Sequence, residues 1–146
     1  MHRDLKLANI LIHFPGKDFS FKNLPIHDRK KAATDLFKKM DLLANAIQIK
    51  IADLGFAREL AYDELSQTMC GTPLVMAPEV LSGQYYNHKA DVWSLGIVFF
   101  EMLTGFTPFT GLDRKDLVKN LEAGSYKLPK KLKLSLQGLD FLNCCL

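Results

Sequence analysis

His2-Arg3-Asp4-Leu5-Lys6-Leu7-Ala8-Asn9 stands near one end of a 146-residue chain, and Asp53-Leu54-Gly55 and Ala77-Pro78-Glu79 follow it in order. The first stretch is a polar loop that runs into Ile10-Leu11-Ile12, a short apolar run that reads as a buried strand. Ile47 to Ala52, with Ile49 and Ile51 alternating, looks like its partner. A hairpin needs a connection of only about 2 to 5 residues. Here the whole segment 14–46 intervenes. It divides into a turn-rich part holding Pro15-Gly16 and Pro25, then a helical stretch from Asp28 to Ala46. Leu36, Met40, Leu43 and Ile47 recur at helical spacing, with Arg29, Lys30, Lys31, Lys38 and Lys39 between them. Such an insert either offers a basic docking surface to a partner or an anionic membrane, or packs its stripe and solvates its lysines.

Downstream, Ala57 to Pro78 is polar and small with no sustained period, which predicts a long functional loop. Ala90 to Thr104 is apolar nearly all the way round and reads as a helix at the centre of a core. Gly105 ends it, Pro108 follows, and further helices are predicted at Arg114 to Ala123 and Ser135 to Leu146. The expected fold is mainly α with short β-hairpins.

Length allows one core and is too short for two. Apolar residues make up 48% and charged residues 24%, the balance of a packed globular chain. Nineteen basic against sixteen acidic residues leave a net charge of +3, too mild to argue for nucleic acid. Cys70, Cys144 and Cys145 show neither a disulfide framework nor zinc spacing, so reduced thiols in a cytoplasmic protein are expected, with Cys144 and Cys145 buried. The start of the chain has charges at once and no apolar h-region. The most apolar stretch, Val92 to Leu103, is far short of the ~20 residues that cross a bilayer.

His2 to Asn9 fits the catalytic-loop pattern H-R-D-L-x-x-x-N at every fixed position. Phosphoryl transfer needs a carboxylate that orients the attacking hydroxyl and accepts its proton, and groups that neutralise charge on the phosphate oxygens. Asp4 suits the first role; Lys6 and an Mg²⁺ held by Asn9 suit the second. Asp53-Leu54-Gly55 falls where a second metal-binding carboxylate is needed, with Leu54 in place of the usual Phe and expected to keep its packing. Ala77-Pro78-Glu79, preceded by Cys70-Gly71-Thr72-Pro73, closes the set. In order and spacing these markers resemble the C-terminal lobe of eukaryotic-type serine/threonine protein kinases.

That resemblance implies catalytic roles for Asp4, Lys6 and Thr72, nucleotide contacts from Lys6, Asn9 and Asp53, and Mg²⁺ ligation by Asn9 and Asp53. Thr72 resembles the threonine whose hydroxyl bonds the catalytic Asp and Lys. Leu74 and Val75 are expected to line a pocket for the residue after the phosphorylated one. Asp91 resembles the residue that accepts bonds from the catalytic-loop backbone. Arg3 and Arg58 resemble the basic partners of a phosphorylated activation-loop residue, here Thr68 with Ser66 behind it. Lys6 is the choice of serine/threonine members, so ATP, Mg²⁺ and a protein Ser/Thr hydroxyl are the implied ligands. Ile49 to Leu60 and Thr68 to Leu81 are also similar to the autophagy-initiating kinases.

No G-x-G-x-x-G or V-A-I-K occurs, so the resemblance covers the C-terminal lobe without its N-terminal β-rich lobe. An isolated lobe is expected to be inactive, because nothing in it covers the nucleotide. Glu79 is expected to lack its arginine partner, a loss worth about 3–5 kcal/mol, and a melt no higher than about 60 °C follows for the lobe alone. A non-catalytic docking module and a truncated product are the rival readings. Asp4, Lys6, Asn9 and Asp53 argue against the first, since a docking surface needs none of them.

Overall fold

A computed structural model of the chain describes residues 1–15, 24–39, 47–61 and 64–146, except the side chains at 36, 37 and 39. It divides into two units, residues 1–9 with 53–146, and residues 10–52.

The smaller unit holds strands β1 (Ile10–His13) and β2 (Gln48–Ile51) and helix α1 (Ile26–Lys39). The strands pair antiparallel with Ile10 opposite Ile51 and Ile12 opposite Ile49, so the segment 14–46 does connect two partners. The expected burial of β1 is corrected. Leu11, Ile12, Ile49 and Ile51 are all exposed, because a two-stranded ribbon covers neither of its own faces. Helix α1 begins two residues before the predicted Asp28. Met40 and Leu43 of the expected stripe, the Leu36 side chain and the predicted helix end at Ala46 lie outside the described residues. Lys30, Lys31 and Lys38 are exposed, and Arg29 Nε donates to the Leu24 carbonyl at 3.0 Å.

The larger unit is built on α3 (Lys89–Thr104). Gly105 ends this helix in the left-handed region at φ 82°, and its amide donates back to Glu101 at 2.8 Å. Ile97, Val98 and Phe100 are fully buried, whereas Val92, Leu95 and Met102 are exposed. All-round burial was expected, but the face bearing Val92, Leu95 and Met102 is uncovered while the opposite flank is packed. Ser94 fixes that flank, donating its hydroxyl to the Val75 carbonyl at 2.7 Å.

Helix α2 (Pro78–Leu81) starts on a proline, whose missing N–H costs nothing at a helix start. Helix α4 (Arg114–Glu122) is capped by Asp113, which accepts from the Asp116 amide at 2.8 Å, and presents Leu117 and Leu121 to the core. Phe109 sits there between Trp93 and Tyr126, with ring centroids 5.7 and 6.0 Å away.

Helix α5 (Leu136–Cys145) starts where Ser135 accepts from the Gly138 amide. It lies on α3 at Gly96, where an added Cβ would come within 2.6 Å of the Cys145 Cβ. Leu142 and an edge-on Phe99–Phe141 pair complete the contact. The two neighbouring thiols were expected to be buried. Cys144 is instead exposed and Cys145 half-buried, since adjacent positions on a helix face different ways. Burial, with Cys144 beside it, pushes the Cys145 thiol up. No described helix is long and apolar enough to cross a membrane.

Candidate active site

The loop carrying Asp4 is fixed from both sides. Arg3 takes a left-handed φ of 70°, uncommon for a residue with a Cβ. A single 3-10 turn, Leu7–Asn9, follows, closed by the Asn9 amide on the Lys6 carbonyl at 2.9 Å. From below, the Asp91 carboxylate in the first turn of α3 accepts the His2 amide at 2.7 Å and the Arg3 amide at 2.9 Å.

Asp4 itself is 2% exposed. Its Oδ1 accepts the Thr72 amide at 2.9 Å and the Thr72 hydroxyl at 2.8 Å, and its Oδ2 accepts Lys6 Nζ at 2.7 Å. Lys6 Nζ also donates to Thr72 Oγ1 at 2.9 Å, closing a triangle of carboxylate, hydroxyl and ammonium. Asn9 Nδ2 donates to the Asp4 carbonyl at 2.9 Å. Burial by itself would raise the Asp4 carboxyl. The hydrogen bonds from Lys6 and Thr72 and the Lys6 charge outweigh it and hold the group below the usual carboxylate range.

Gly71 makes the approach of Thr72 possible. It sits at φ 105°, and an added Cβ would lie 2.4 Å from the Arg3 carbonyl oxygen. Before it, the chain is tied to the run leading into α3. Ser66 and Tyr86 exchange backbone bonds at 2.8 and 2.9 Å, and the Tyr86 hydroxyl donates to the Thr68 carbonyl at 2.5 Å.

Asp53 is exposed and also left-handed, at φ 64°, where its side chain accepts from Gly55 N at 3.4 Å and opens the turn Leu54–Phe56. Leu54, expected to pack, is exposed, because this tight turn holds it out to solvent. Arg3 Nε donates to the Phe56 carbonyl. Arg58 pairs with Glu64 at 2.6 Å, and its backbone exchanges bonds with Met1. Thr68 is exposed, and Ser66 is buried with no partner for its hydroxyl among the described residues. Among the described residues neither Arg3 nor Arg58 reaches Thr68, and Glu79 has no ion pair.

An open cavity of about 400 Å³ lies between this segment and α4, lined by Met69, Pro73, Met76, Leu81 and Leu117 with Arg114 among them. Leu74 and Val75, expected at such a pocket, do not line it. The 3-10 turn Pro73–Val75 superposes positions three apart, so Pro73 and Met76 share the cavity face while Leu74 is exposed and Val75 buried.

The structure thus brings Asp4, Lys6, Thr72 and Asn9 together, with Asp91 behind their loop. Asn9 and Asp53 contribute hard oxygen donors of the kind Mg²⁺ takes. With the Asn9 nitrogen committed to Asp4, its Oδ1 is the amide's acceptor, and among the described residues the exposed Asp53 carboxylate is engaged only by its own turn. Sequence reading missed Tyr86 and Ser94. Nothing local marks either, since both act on residues about twenty positions away.

The sequence profile described as Protein kinase domain matches residues 1–146. Serine/threonine-protein kinase ATG1 of Pyricularia oryzae is 38% identical over 143 residues, covering 95% of this chain and 14% of the relative. The same-named kinase of Colletotrichum lindemuthianum is 40% identical over 138 residues, covering 92% of this chain and 20% of the relative. Serine/threonine-protein kinase apg-1 of Neurospora crassa is 39% identical over 123 residues, 84% of this chain and 13% of the relative. This chain therefore spans a small part of each relative's length.

Proposed function

The chain belongs to the protein kinase family, and from that premise we propose that its Asp4-centred site transfers the γ-phosphoryl group of ATP to serine or threonine hydroxyls of proteins. The observation that carries this reading is the buried Asp4 carboxylate held by Lys6 and Thr72. The substrate hydroxyl oxygen attacks the γ-phosphorus, the bond from that phosphorus to the ADP oxygen breaks, and the hydroxyl proton passes to an Asp4 carboxylate oxygen. A carboxyl held below its usual range is ionised at neutral pH and ready to accept. Lys6, half-buried and donating to Asp4, would supply the ammonium that offsets charge on the phosphoryl oxygens. Thr72 orients the carboxylate with two donors, and Asp91 fixes the loop backbone.

Mg²⁺, when bound, neutralises charge on the nucleotide phosphates. Asn9 and Asp53 are the residues of this chain that would hold it. Thr68 is the proposed phosphorylation switch, supported by its exposure, with Arg3 and Arg58 as phosphate partners; Arg58 would exchange Glu64 for the phosphate. The exposed basic face of α1 is proposed as a docking surface for an anionic protein partner. The mild net charge supports a protein rather than a nucleic acid as substrate, and the three free cysteines suit a cytoplasmic protein.

Asp4→Asn in the full-length protein tests the assignment. Phosphate transfer from ATP to a serine or threonine peptide is expected to fall at least about 10²-fold with the fold intact by circular dichroism. Transfer that survives the substitution overturns the assignment. No transfer by the unsubstituted protein would favour the docking reading instead.

A further inference from the structure

We infer that Tyr86 is a positioning residue of the site, its hydroxyl holding the segment that delivers Thr72 to Asp4. The inference rests on the phosphoryl-transfer reading for its purpose and on geometry for its content. The segment 66–72 is anchored at both ends. At one end Ser66 and Tyr86 exchange backbone bonds and the Tyr86 hydroxyl donates to the Thr68 carbonyl. At the other, the Thr72 amide and hydroxyl both reach Asp4 Oδ1. Only residues 69–71 separate the two anchors, a span of roughly 10–11 Å when extended. Where Thr68 is held therefore limits where Thr72 can be.

Tyr86 is well placed to hold it. Its ring is 3% exposed and packed in the core with Val80 and Ala90, so a phenylalanine would fill the same space. The hydroxyl adds only the bond to Thr68. The Ser66 side chain does not share the task, since its buried hydroxyl has no partner among the described residues. Five residues after Tyr86 comes Asp91, which grips the His2 and Arg3 amides. One short run at the start of α3 thus holds both halves of the site. Asp91 sets the loop that bears Asp4, and Tyr86 sets the segment that bears Thr72.

Tyr86→Phe in the full-length protein separates positioning from packing. Amide hydrogen exchange across residues 66–76 is expected to speed up roughly 2- to 10-fold, the factor one net hydrogen bond is worth, while exchange across 89–104 stays unchanged. In parallel kcat for peptide phosphorylation is expected to fall by about the same factor, with KM for Mg-ATP within about twofold. Unchanged exchange in 66–76, acceleration spread equally over 89–104, or faster exchange with kcat intact would each overturn the inference. Failure of the kinase reading shows separately, as no Asp4-dependent transfer by the unsubstituted protein. The exchange comparison then still decides whether the hydroxyl holds the segment.

Discussion

At Gly71 two constraints coincide, a left-handed backbone and the Arg3 carbonyl where a Cβ would stand. Gly71→Ala meets both, and we expect a loss of at least about 2 kcal/mol in urea unfolding together with loss of phosphoryl transfer. Thr72 offers a gentler change. Thr72→Val removes the hydroxyl donor to Asp4 Oδ1 but keeps the amide, so the Asp4 carboxyl should move back up and the acid limb of the kcat/KM profile should shift to higher pH. An acid limb that stays in place would show that the hydroxyl does not set this group's ionisation. The same depression has a consequence for stability. The contribution of the ionised Asp4 is present above the unfolded carboxylate value of about 3.9 and is lost as pH falls through the lower folded value. Asp4, Lys6 and Asn9 were legible because they lie within six residues of one another, where spacing alone carries the pattern. Thr72 and Asp91 were legible only through the family likeness. The tie from Tyr86 to Thr68 was not legible, because its two ends meet only after the chain has turned back on itself.

Among the elements, the pairing of β1 with β2 could be read from two short apolar runs, but their exposure could not. Burial depends on what covers a strand, and apolar character records only a preference. For α3 the same reasoning overreached, since apolar residues on every face gave no hint that Val92, Leu95 and Met102 would be exposed. Gly96 carries information that pattern reading lost. Gly96→Ala should gain about 1 kcal/mol of helix propensity and lose more to overpacking against α5, a net destabilisation of about 1–2 kcal/mol. Cys145→Ala should not rescue it, because the Cys145 atom nearest the added methyl is its Cβ, which alanine keeps. Differential scanning calorimetry of the single and double variants checks both statements. At the start of α5, Ser135→Ala should cost about 1 kcal/mol by releasing the Gly138 amide, measurable in the same way.

At the scale of the whole molecule, Asp91 joins parts of the chain 88 and 89 residues apart. Asp91→Ala removes the carboxylate that accepts two partly buried backbone amides and loosens the loop. A drop of about 10²-fold in kcat is expected, with faster amide exchange over residues 2–9 and a preserved helical circular dichroism spectrum. A loss of activity accompanied by general unfolding would instead assign Asp91 to stability alone. That long-range bond also fixes an order of events during synthesis. At about 5–20 residues per second, the ribosome delivers Asp91 some 4 to 18 seconds after His2 and Arg3 have emerged. Closing so long a loop is slow in its own right, because the entropy of closure is spent before any contact rewards it. For those seconds the loop that bears Asp4 lacks the carboxylate that takes up its His2 and Arg3 amides. The arrangement around Asp4 therefore waits for the start of α3 to leave the exit tunnel, and it can form before α4 and α5 have been made.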